Sequence, residues 1–377
     1  TGRRMDFIVI ALLAAAVILF AVHTWWPISP TDKSVAVLAF ENMSGDPEQE
    51  YFSDGLSEEL LNTLAEVDDL RVISRSSSFS FKEKDFDVPT IAKRLNVAHV
   101  LQGSVRRMGD SVRITAQLVD ASTDSHLWSE TFDRELTTQN IFAIQSDIAT
   151  ATANKLRATL SQQDQVKLRT VPTSSLEAYQ SYWLGKQRMF SRASASLEQA
   201  KEHFETAIEI DPEFALAYVG LADTYMLLGD YAGMSLTEVM EHGEPAISKA
   251  LTLDDELAEA YVARGAIRAK VGDFDTAVDA FRRAIELDPN YSKAYHWYGD
   301  VLMTYLQQPD AALPLLERAY TLDPVSPPLI VTIGQALVGL GRFEEAMQYY
   351  QKALEIEPAY ASTYYLIGSL HAYEHGR

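Results

Sequence analysis

Two patterns of apolar and polar residues divide the chain near residue 160. Before it, Val112, Ile114, Ala116 and Leu118 alternate with polar neighbours, as in a strand with one buried face. After it, ten-residue segments such as AFRRAIELDP recur, and the proline stops each helix before the next unit begins. The pattern therefore predicts a mixed first half and a helical second half.

The segment 34–160 is predicted to be an α+β domain in the order β-α-β-α-β-β-β-α. The predicted strands cover 34–40, 70–75, 99–107, 111–120 and 126–135, and helices are predicted over 88–97 and 141–160. The first helix has its apolar residues on one face, with Glu58 and Glu59 off that face. Ser53 and Asp54 are its N-cap candidates.

Seven carboxylates lie within the 21 residues from Phe40 to Leu60, before and within this first helix. Such a cluster could form a metal site or an acid/base pair. No histidine or cysteine accompanies the acids, and the spacing of a calcium loop is absent. We interpret them as helix-capping and solvated residues, with a weak calcium or partner-binding loop as the alternative. Ser74 and 76–78 are interpreted as a polar turn after a strand.

Residues 7–22 carry no charge, and two tryptophans follow at 25 and 26. The stretch 7–26 is long enough to cross a bilayer as a helix, and the tryptophans suit the far headgroup region. Arg3 and Arg4 predict that residues 1–6 stay in the cytoplasm and that the rest lies outside. A cleaved signal peptide and a buried soluble helix are the alternatives, but no small-residue cleavage site follows the apolar run.

The segment 176–377 repeats itself after a polar linker at 161–175. Gly265, Gly299, Gly334 and Gly368 are spaced by 34, 35 and 34 residues. This period, with small residues at fixed places, resembles the tetratricopeptide repeat. We count five repeats and the first helix of a sixth. Because the chain opens at Thr1 and stops within a repeat, we expect it to be a piece of a longer protein.

The first domain also resembles a known family. The wording SVAVLAFENMSGDPEQEYFSDGLSEELLNTLAEVDDLRVISR, followed by VLQGSVRRMGDSVRITAQLVD, is similar to the amino-terminal domain of TolB and to the related flagellar protein FlgO. The resemblance implies a domain outside the membrane, behind one transmembrane helix and before tetratricopeptide repeats. It also implies a cytoplasmic class III adenylate cyclase or winged-helix module upstream.

Charge and motifs narrow the function further. The formal net charge of −21 repels phosphate backbones, so nucleic-acid binding by this segment is not expected. The absence of cysteine excludes disulfides and thiol nucleophiles. The sequence contains no phosphate-binding, dinucleotide-binding or hydrolase motif. We therefore predict no catalytic residue, no cofactor and no metal, and no enzyme activity for this chain, while the parent protein could be an adenylate cyclase.

The repeats predict a binding groove lined by the first helix of each unit. Tyr261, Gly265, Tyr295 and Gly299 are predicted to point into the stack. The predicted groove residues are Val219, Asp223, Lys293, His296, Asp300, Gln335 and Tyr365. Their polar character suits an extended peptide.

The preferred hypothesis is a membrane-anchored sensor or scaffold of the bacterial inner membrane. It crosses the membrane once, binds a protein or peptide in the periplasm, and regulates a cytoplasmic output module. The alternatives are the non-catalytic part of a class III adenylate cyclase and an envelope-assembly scaffold with no cytoplasmic output.

Overall fold

The computed structural model describes residues 33–374. In this range an α+β region precedes a helical array, as the sequence predicts. The predicted cytoplasmic stub at 1–6 and the predicted membrane helix at 7–26 lie outside the described residues. Among residues 33–374, no helix has the length and apolar content needed to span a bilayer.

One mixed sheet organises the first region. Its strands are β1 (Ser34–Val37), β2 (Glu41–Asn42), β3 (Arg71–Val72), β4 (His99–Met108), β5 (Ser111–Asp120) and β6 (Ser125–Glu135). The order is β3-β1-β4-β5-β6, and β2 pairs with β4 beyond the end of β1. β1 is parallel to β3 and β4, whereas β4, β5 and β6 form the antiparallel meander that the alternating pattern predicts.

Four helices and a short 3-10 turn accompany the sheet. The turn is Pro47–Gln49, and the helices are α1 (Glu50–Ala65), α2 (Arg75–Phe79), α3 (Val88–Leu95) and α4 (Thr138–Lys155). The buried leucines of α1 and the isoleucines of α4 share one apolar core with the sheet. On the other face, Ile91 and Leu95 of α3 pack against Ala36 and Val100.

Several predicted boundaries in this region are wrong. Ser53 and Asp54 are not N-caps, because the 3-10 turn leads the chain into α1 at Glu50 and both residues lie inside the helix. The predicted strand 34–40 breaks after Val37 and pairing resumes in β2, and the strand predicted over 70–75 keeps two paired residues. The turn predicted after it is the helix α2, capped by Ser74.

A short helix, α5 (Gln162–Lys167), lies within the predicted linker. Beyond it, residues 176–374 form five antiparallel helix pairs and one further helix. The pairs are α6 (Leu176–Met189) with α7 (Ser194–Ile210), α8 (Ala215–Tyr231) with α9 (Leu236–Leu253), α10 (Ala258–Lys270) with α11 (Phe274–Leu287), α12 (Ser292–Thr304) with α13 (Pro309–Leu322), and α14 (Pro327–Gly339) with α15 (Phe343–Ile356). The last helix is α16 (Ala361–Glu374).

The small and large residues of the repeat explain this packing. Gly265 of α10 faces Phe281 of α11 so closely that a Cβ on the glycine would lie 2.6 Å from the ring. The predicted aromatic position has a second role: the hydroxyl of Tyr295 donates to the carbonyl oxygen of Pro289, six residues earlier, at 3.2 Å. Tyr218, Tyr261 and Tyr364 make the same i to i−6 hydrogen bond.

Candidate interaction groove

The first helices of successive repeats contact one another and form a continuous inner surface. α8 contacts α10, α10 contacts α12, and α12 contacts α14. Lys293 of α12 donates from Nζ to the carboxylate of Asp223 on α8 at 2.9 Å, although α10 lies between the two helices in the array. Both side chains therefore lie on the inner surface, where each charge is compensated by the other.

A second contact on this surface joins α12 to α14. His296 Nε2 lies 3.3 Å from the hydroxyl of Thr332. Burial lowers the pKa of His296 to about 4, so its imidazole is neutral at physiological pH. One turn further along α12, the carboxylate of Asp300 accepts from the hydroxyl of Thr304 at 3.2 Å, and burial raises its pKa.

The other predicted groove residues differ in their access to solvent. Val219 is 5% exposed and belongs to an apolar core between repeats, so it offers little surface to a ligand. Gln335 on α14 is half-buried. Tyr365 on α16 is 77% exposed. The structure thus brings Asp223 together with Lys293 in the middle of the array and leaves Tyr365 accessible at its end.

The domain's own helix α1 lies against the first repeat. Lys186 Nζ of α6 is 3.0 Å from Glu58 Oε1 of α1, and Arg75 Nε is 2.6 Å from the other oxygen of Glu58. The rings of Phe52 and Trp183 meet edge to face at 5.3 Å. These contacts make α6 part of the same apolar core as the sheet.

Two turns of the solenoid also hold the α+β region. Asn290, between α11 and α12, donates from Nδ2 to the carbonyl oxygens of Ala65 and Leu70 at 2.9 and 3.0 Å. It therefore satisfies a carbonyl at the C-terminal end of α1, where helix carbonyls have no partner within the helix. After α13, the carboxylate of Asp323 accepts hydrogen bonds from the hydroxyls of Ser76 and Ser77 at 2.6 and 2.5 Å.

The contact between the two regions is rich in carboxylates. Burial opposes ionisation of Glu58, but Lys186 and Arg75 outweigh it and lower the pKa. For its neighbour Glu59 the balance is reversed: burial and the charge of Glu58 outweigh the nearby Lys186 and raise the pKa of Glu59 to about 8. Burial and the charge of Glu259 raise the pKa values of Glu66 and Asp288 to about 7.

The acidic stretch has more than the capping and solvation role that the sequence suggests. Asp46 does cap the 3-10 turn, accepting from the backbone N–H of Glu48 at 2.9 Å. Asp54, however, pairs with Lys82 at 2.7 Å, and Glu58 and Glu59 are only 7% and 8% exposed because the solenoid covers their side of α1. The described residues contain no group of three metal-ligand side chains.

A cleft of about 510 Å³ opens beside α1, between the 3-10 turn and the first repeat. Glu48, Gln49 and Tyr51 line one side, and Arg188 of α6 and His203 of α7 line the other. Burial and the nearby Arg188 lower the pKa of His203. The lining combines these polar side chains with Pro47 and Leu184.

The residues predicted from the sequence do not include Lys186, Asn290 and Asp323, whose side chains bind the α+β region. One signal was present: Lys186 follows Gly185 as Asp300 follows Gly299, so the repeat register already places Lys186 on the inner surface. Asn290 and Asp323 lie in turns between repeats, and nothing in their spacing shows which other region they contact.

Comparison with known proteins divides the chain in the same way. Residues 192–214 and 258–291 match the tetratricopeptide repeat, and residues 334–372 match a further model of the same repeat. The helical half therefore contains tetratricopeptide repeats. Residues 31–151 match the second domain of HilA/YgeH-like transcriptional regulators. The resemblance to TolB stays a prediction.

Curated relatives cover parts of the chain. It is 38% identical over 196 residues to "Putative adenylate cyclase 3" of Rhizobium meliloti, which corresponds to 52% of this chain and 33% of that protein. It is 32% identical over 108 residues to "Small glutamine-rich tetratricopeptide repeat-containing protein 2" of Mycosarcoma maydis, or 28% of this chain and 30% of that protein. The chain thus spans about a third of the length of these relatives.

Among solved structures, about half of the chain is similar to the MamA protein. The identity is 26% and the TM-score 0.35, and the match covers 49% of this chain and 94% of MamA.

Proposed function

We propose that this chain is the non-catalytic, partner-binding part of a membrane-anchored regulatory protein. Its α+β domain and repeat groove bind a protein or peptide, and binding biases an output module elsewhere in the parent. The observation that carries this proposal is the docking of α1 on the first repeat through Glu58 and Lys186. Because one side of α1 belongs to the domain core and the other contacts the repeats, a partner that moves one region also moves the other.

The chemistry of the groove favours an extended peptide. Beyond the Asp223–Lys293 pair, the inner surface presents Asp300, Gln335 and Tyr365, which combine hydrogen-bonding groups with one exposed aromatic ring. Extended chains offer backbone donors and acceptors to such side chains, whereas an amphipathic helix needs a continuous apolar groove. Tetratricopeptide repeats present extended concave surfaces of this kind.

For the output module, a class III adenylate cyclase is our first candidate. The 38% identity to "Putative adenylate cyclase 3" supports it, since the matched part is one third of that protein and leaves room for a separate catalytic domain. A DNA-binding module is the second candidate, supported by the match to a domain of HilA/YgeH-like transcriptional regulators. A scaffold in envelope assembly, without an output module, is the third.

We further propose that the chain spans the inner membrane once and lies mainly in the periplasm. The support comes from the sequence of residues 1–26: two arginines, an uncharged run and two tryptophans. A reporter that works only in the periplasm, fused after Lys33, should be active. Activity from a cytoplasmic reporter alone would overturn this topology and the resemblance-based arrangement with it.

Partner binding can be tested by affinity capture from envelope extract with the full chain. The variant Lys293→Ala/Asp300→Ala/Tyr365→Ala removes three groove side chains, whereas the control Glu344→Ala/Gln348→Ala/Gln351→Ala changes exposed positions of α15. Because Lys293 pairs with Asp223, circular dichroism must first show that the groove variant keeps its fold. We expect the groove variant alone to lose a partner that the wild type captures in purified form. Equal capture by both variants would place recognition outside the groove.

Coupling to an output can be tested in the natural full-length protein. Glu58→Gln/Lys186→Met loosens the docking of α1, and cyclic AMP production is measured in cells with and without the variant. We expect cyclic AMP to change at equal protein level. If docking loosens, as seen by faster hydrogen exchange in α1, and neither cyclic AMP nor transcription changes, the regulatory proposal is wrong.

A further inference from the structure

Strand β6 is a long sheet edge with an open outer side. It stands at the end of the strand order, and within residues 33–374 no strand pairs with its outer edge. From Ser129 to Glu135 every side chain except Phe132 is exposed. An edge of this length presents a row of backbone N–H and C=O groups that can pair with another strand.

The two edge strands of the sheet differ in length and in what lies against them. At the opposite edge, β3 has only two paired residues, and Arg71 donates from Nη1 to the carbonyl oxygen of Thr321 in the solenoid at 2.8 Å. That edge is short and covered by the repeats. Edge strands are ordinarily shortened, covered or charged to prevent pairing. β6 is not short, and no strand of the described residues pairs with its outer edge, although the carbonyl oxygen of Glu135 at its end accepts hydrogen bonds from Thr137 and Asn140. The charges along the rest of β6 then decide which strand can pair with it.

The charges on β6 are complementary to a second copy in one register. When two β6 strands pair antiparallel about a two-fold axis at Phe132, Glu130 of each copy lies opposite Arg134 of the other. Thr131 then lies opposite Asp133. An axis at Glu130 or at Asp133 would instead place like carboxylates opposite each other, which is unfavourable. An axis at Thr131 forms no ion pair.

The side chains that this register needs are available. Among the described residues, Glu130 makes no salt bridge, and Arg134 donates to the neighbouring carbonyl oxygen of Asp133. By contrast, Asp133 is already bound by Arg113 on β5 at 2.7 Å. Glu130 and Arg134 alternate with Thr131 and Asp133, so the two new ion pairs lie on the face of the sheet that holds Phe132.

We propose that β6 is the interface of a symmetric homodimer, in which two copies pair antiparallel about Phe132 and extend one sheet across the two chains. The interface is a strand edge with two Glu130–Arg134 pairs. Contacts of this size form transient complexes. The dimer is therefore expected to depend on protein concentration and to weaken as salt screens the ion pairs.

Sedimentation equilibrium of the full chain, in mild detergent, tests the ion pairs. Glu130→Arg and Arg134→Glu each place like charges opposite each other and should weaken dimerisation at least tenfold. The double variant Glu130→Arg/Arg134→Glu restores opposite charges and should recover the wild-type dimer. Arg342→Glu, in an exposed ion pair at the start of α15, is the control for net charge and should leave dimerisation unchanged.

Cysteine crosslinking tests the register, because the chain has no native cysteine. A mixture of Thr131→Cys and Asp133→Cys chains should form a disulfide-linked dimer, whereas each variant alone should not. A wild-type chain that stays monomeric overturns the proposal, and protection of the β6 amides in that monomer would assign the edge to another segment of the chain. A dimer that Glu130→Arg leaves intact overturns it as well.

Discussion

Lys186 of the first repeat lies 3.0 Å from Glu58 of helix α1 and joins the solenoid to the α+β domain by a charge pair. Glu58 is almost fully buried, and Arg75 is its second cation. If one partner of a buried ion pair is removed, the other charge stays buried without solvent or partner. The free-energy cost of that uncompensated charge exceeds the net attraction that the intact pair contributes.

We therefore expect Lys186→Met to lower the free energy of unfolding by about 1–3 kcal/mol, since Arg75 still compensates part of the charge of Glu58. The matched control is Lys201→Met, which removes the partner of the more exposed Glu198 and should cost about 0–1 kcal/mol. Urea denaturation of both variants measures the difference. Equal effects would show that the Lys186–Glu58 pair is no more important than a surface pair.

The second prediction concerns pH. Glu59, Glu66 and Asp288 have pKa values raised to about 8, 7 and 7 by burial, so each binds a proton in the folded protein at a pH where the unfolded chain has lost it. Stability must then fall as pH rises between the unfolded and the folded pKa values. The charged groups that face Glu59 come from three elements. Glu58 and Glu66 lie within and at the end of its own helix α1, Lys186 lies on α6, and Glu259 lies on α10.

We expect the free energy of unfolding to decrease by roughly 1–4 kcal/mol between about pH 5 and pH 8 because of these groups. In Glu59→Gln the contribution of that residue disappears, and the decrease should be smaller. Denaturant titrations at several pH values measure both slopes. A stability that rises with pH over this interval in the wild type, or an unchanged slope in Glu59→Gln, would contradict the assignment.

The sequence predicts the individual regions better than the contact between them. Alternation in β5 predicts its buried face because it comes from neighbours in one strand, and the 34-residue period predicts the helix pairs because the same packing unit recurs along the chain. The pattern predicts a solvated position for Glu58 and Glu59 because it shows only the side of α1 that meets its own sheet. The second partner, α6, lies more than 110 residues away, and no local pattern records it.

The predicted groove residues also show that sequence patterns do not record contacts between distant elements. Repeat register places Asp223 and Lys293 on first helices, which is where the structure has them. It does not show that the two bind each other across α10, because that depends on how strongly the array curves. For Val219 the register likewise does not show that neighbouring side chains bury it in an apolar core between repeats.

The third prediction concerns Asn290, whose side-chain amide satisfies the carbonyl oxygens of Ala65 and Leu70. Asn290→Ala leaves two acceptors without that donor in a buried position and should cost about 1–3 kcal/mol. The comparable Asn140→Ala removes an exposed hydrogen bond to the carbonyl oxygen of Glu135 and should cost less than about 1 kcal/mol.

Hydrogen exchange distinguishes a local from a global effect of Asn290→Ala. If Asn290 holds the domain to the fourth repeat, amides between 65 and 74 should exchange faster in the variant even under strongly native conditions. Uniform acceleration throughout the chain would indicate general destabilisation and no specific role in docking.

The last prediction uses two glycines at the same position of neighbouring repeats. A Cβ at Gly334 of α14 would lie 2.3 Å from the ring of Tyr350 on α15, so the two helices cannot keep their distance if the residue has a side chain. Gly334→Ala should therefore destabilise the protein by about 1–3 kcal/mol through overpacking.

Gly368, on α16, has no atom within 4 Å of its Cβ position. Gly368→Ala should instead stabilise its helix by about 0.5–1 kcal/mol, because alanine loses less backbone freedom than glycine. Thermal denaturation of the two variants should shift the melting temperature in opposite directions. A loss of stability in Gly368→Ala comparable to that in Gly334→Ala would mean that α16 is packed more tightly than the structure shows.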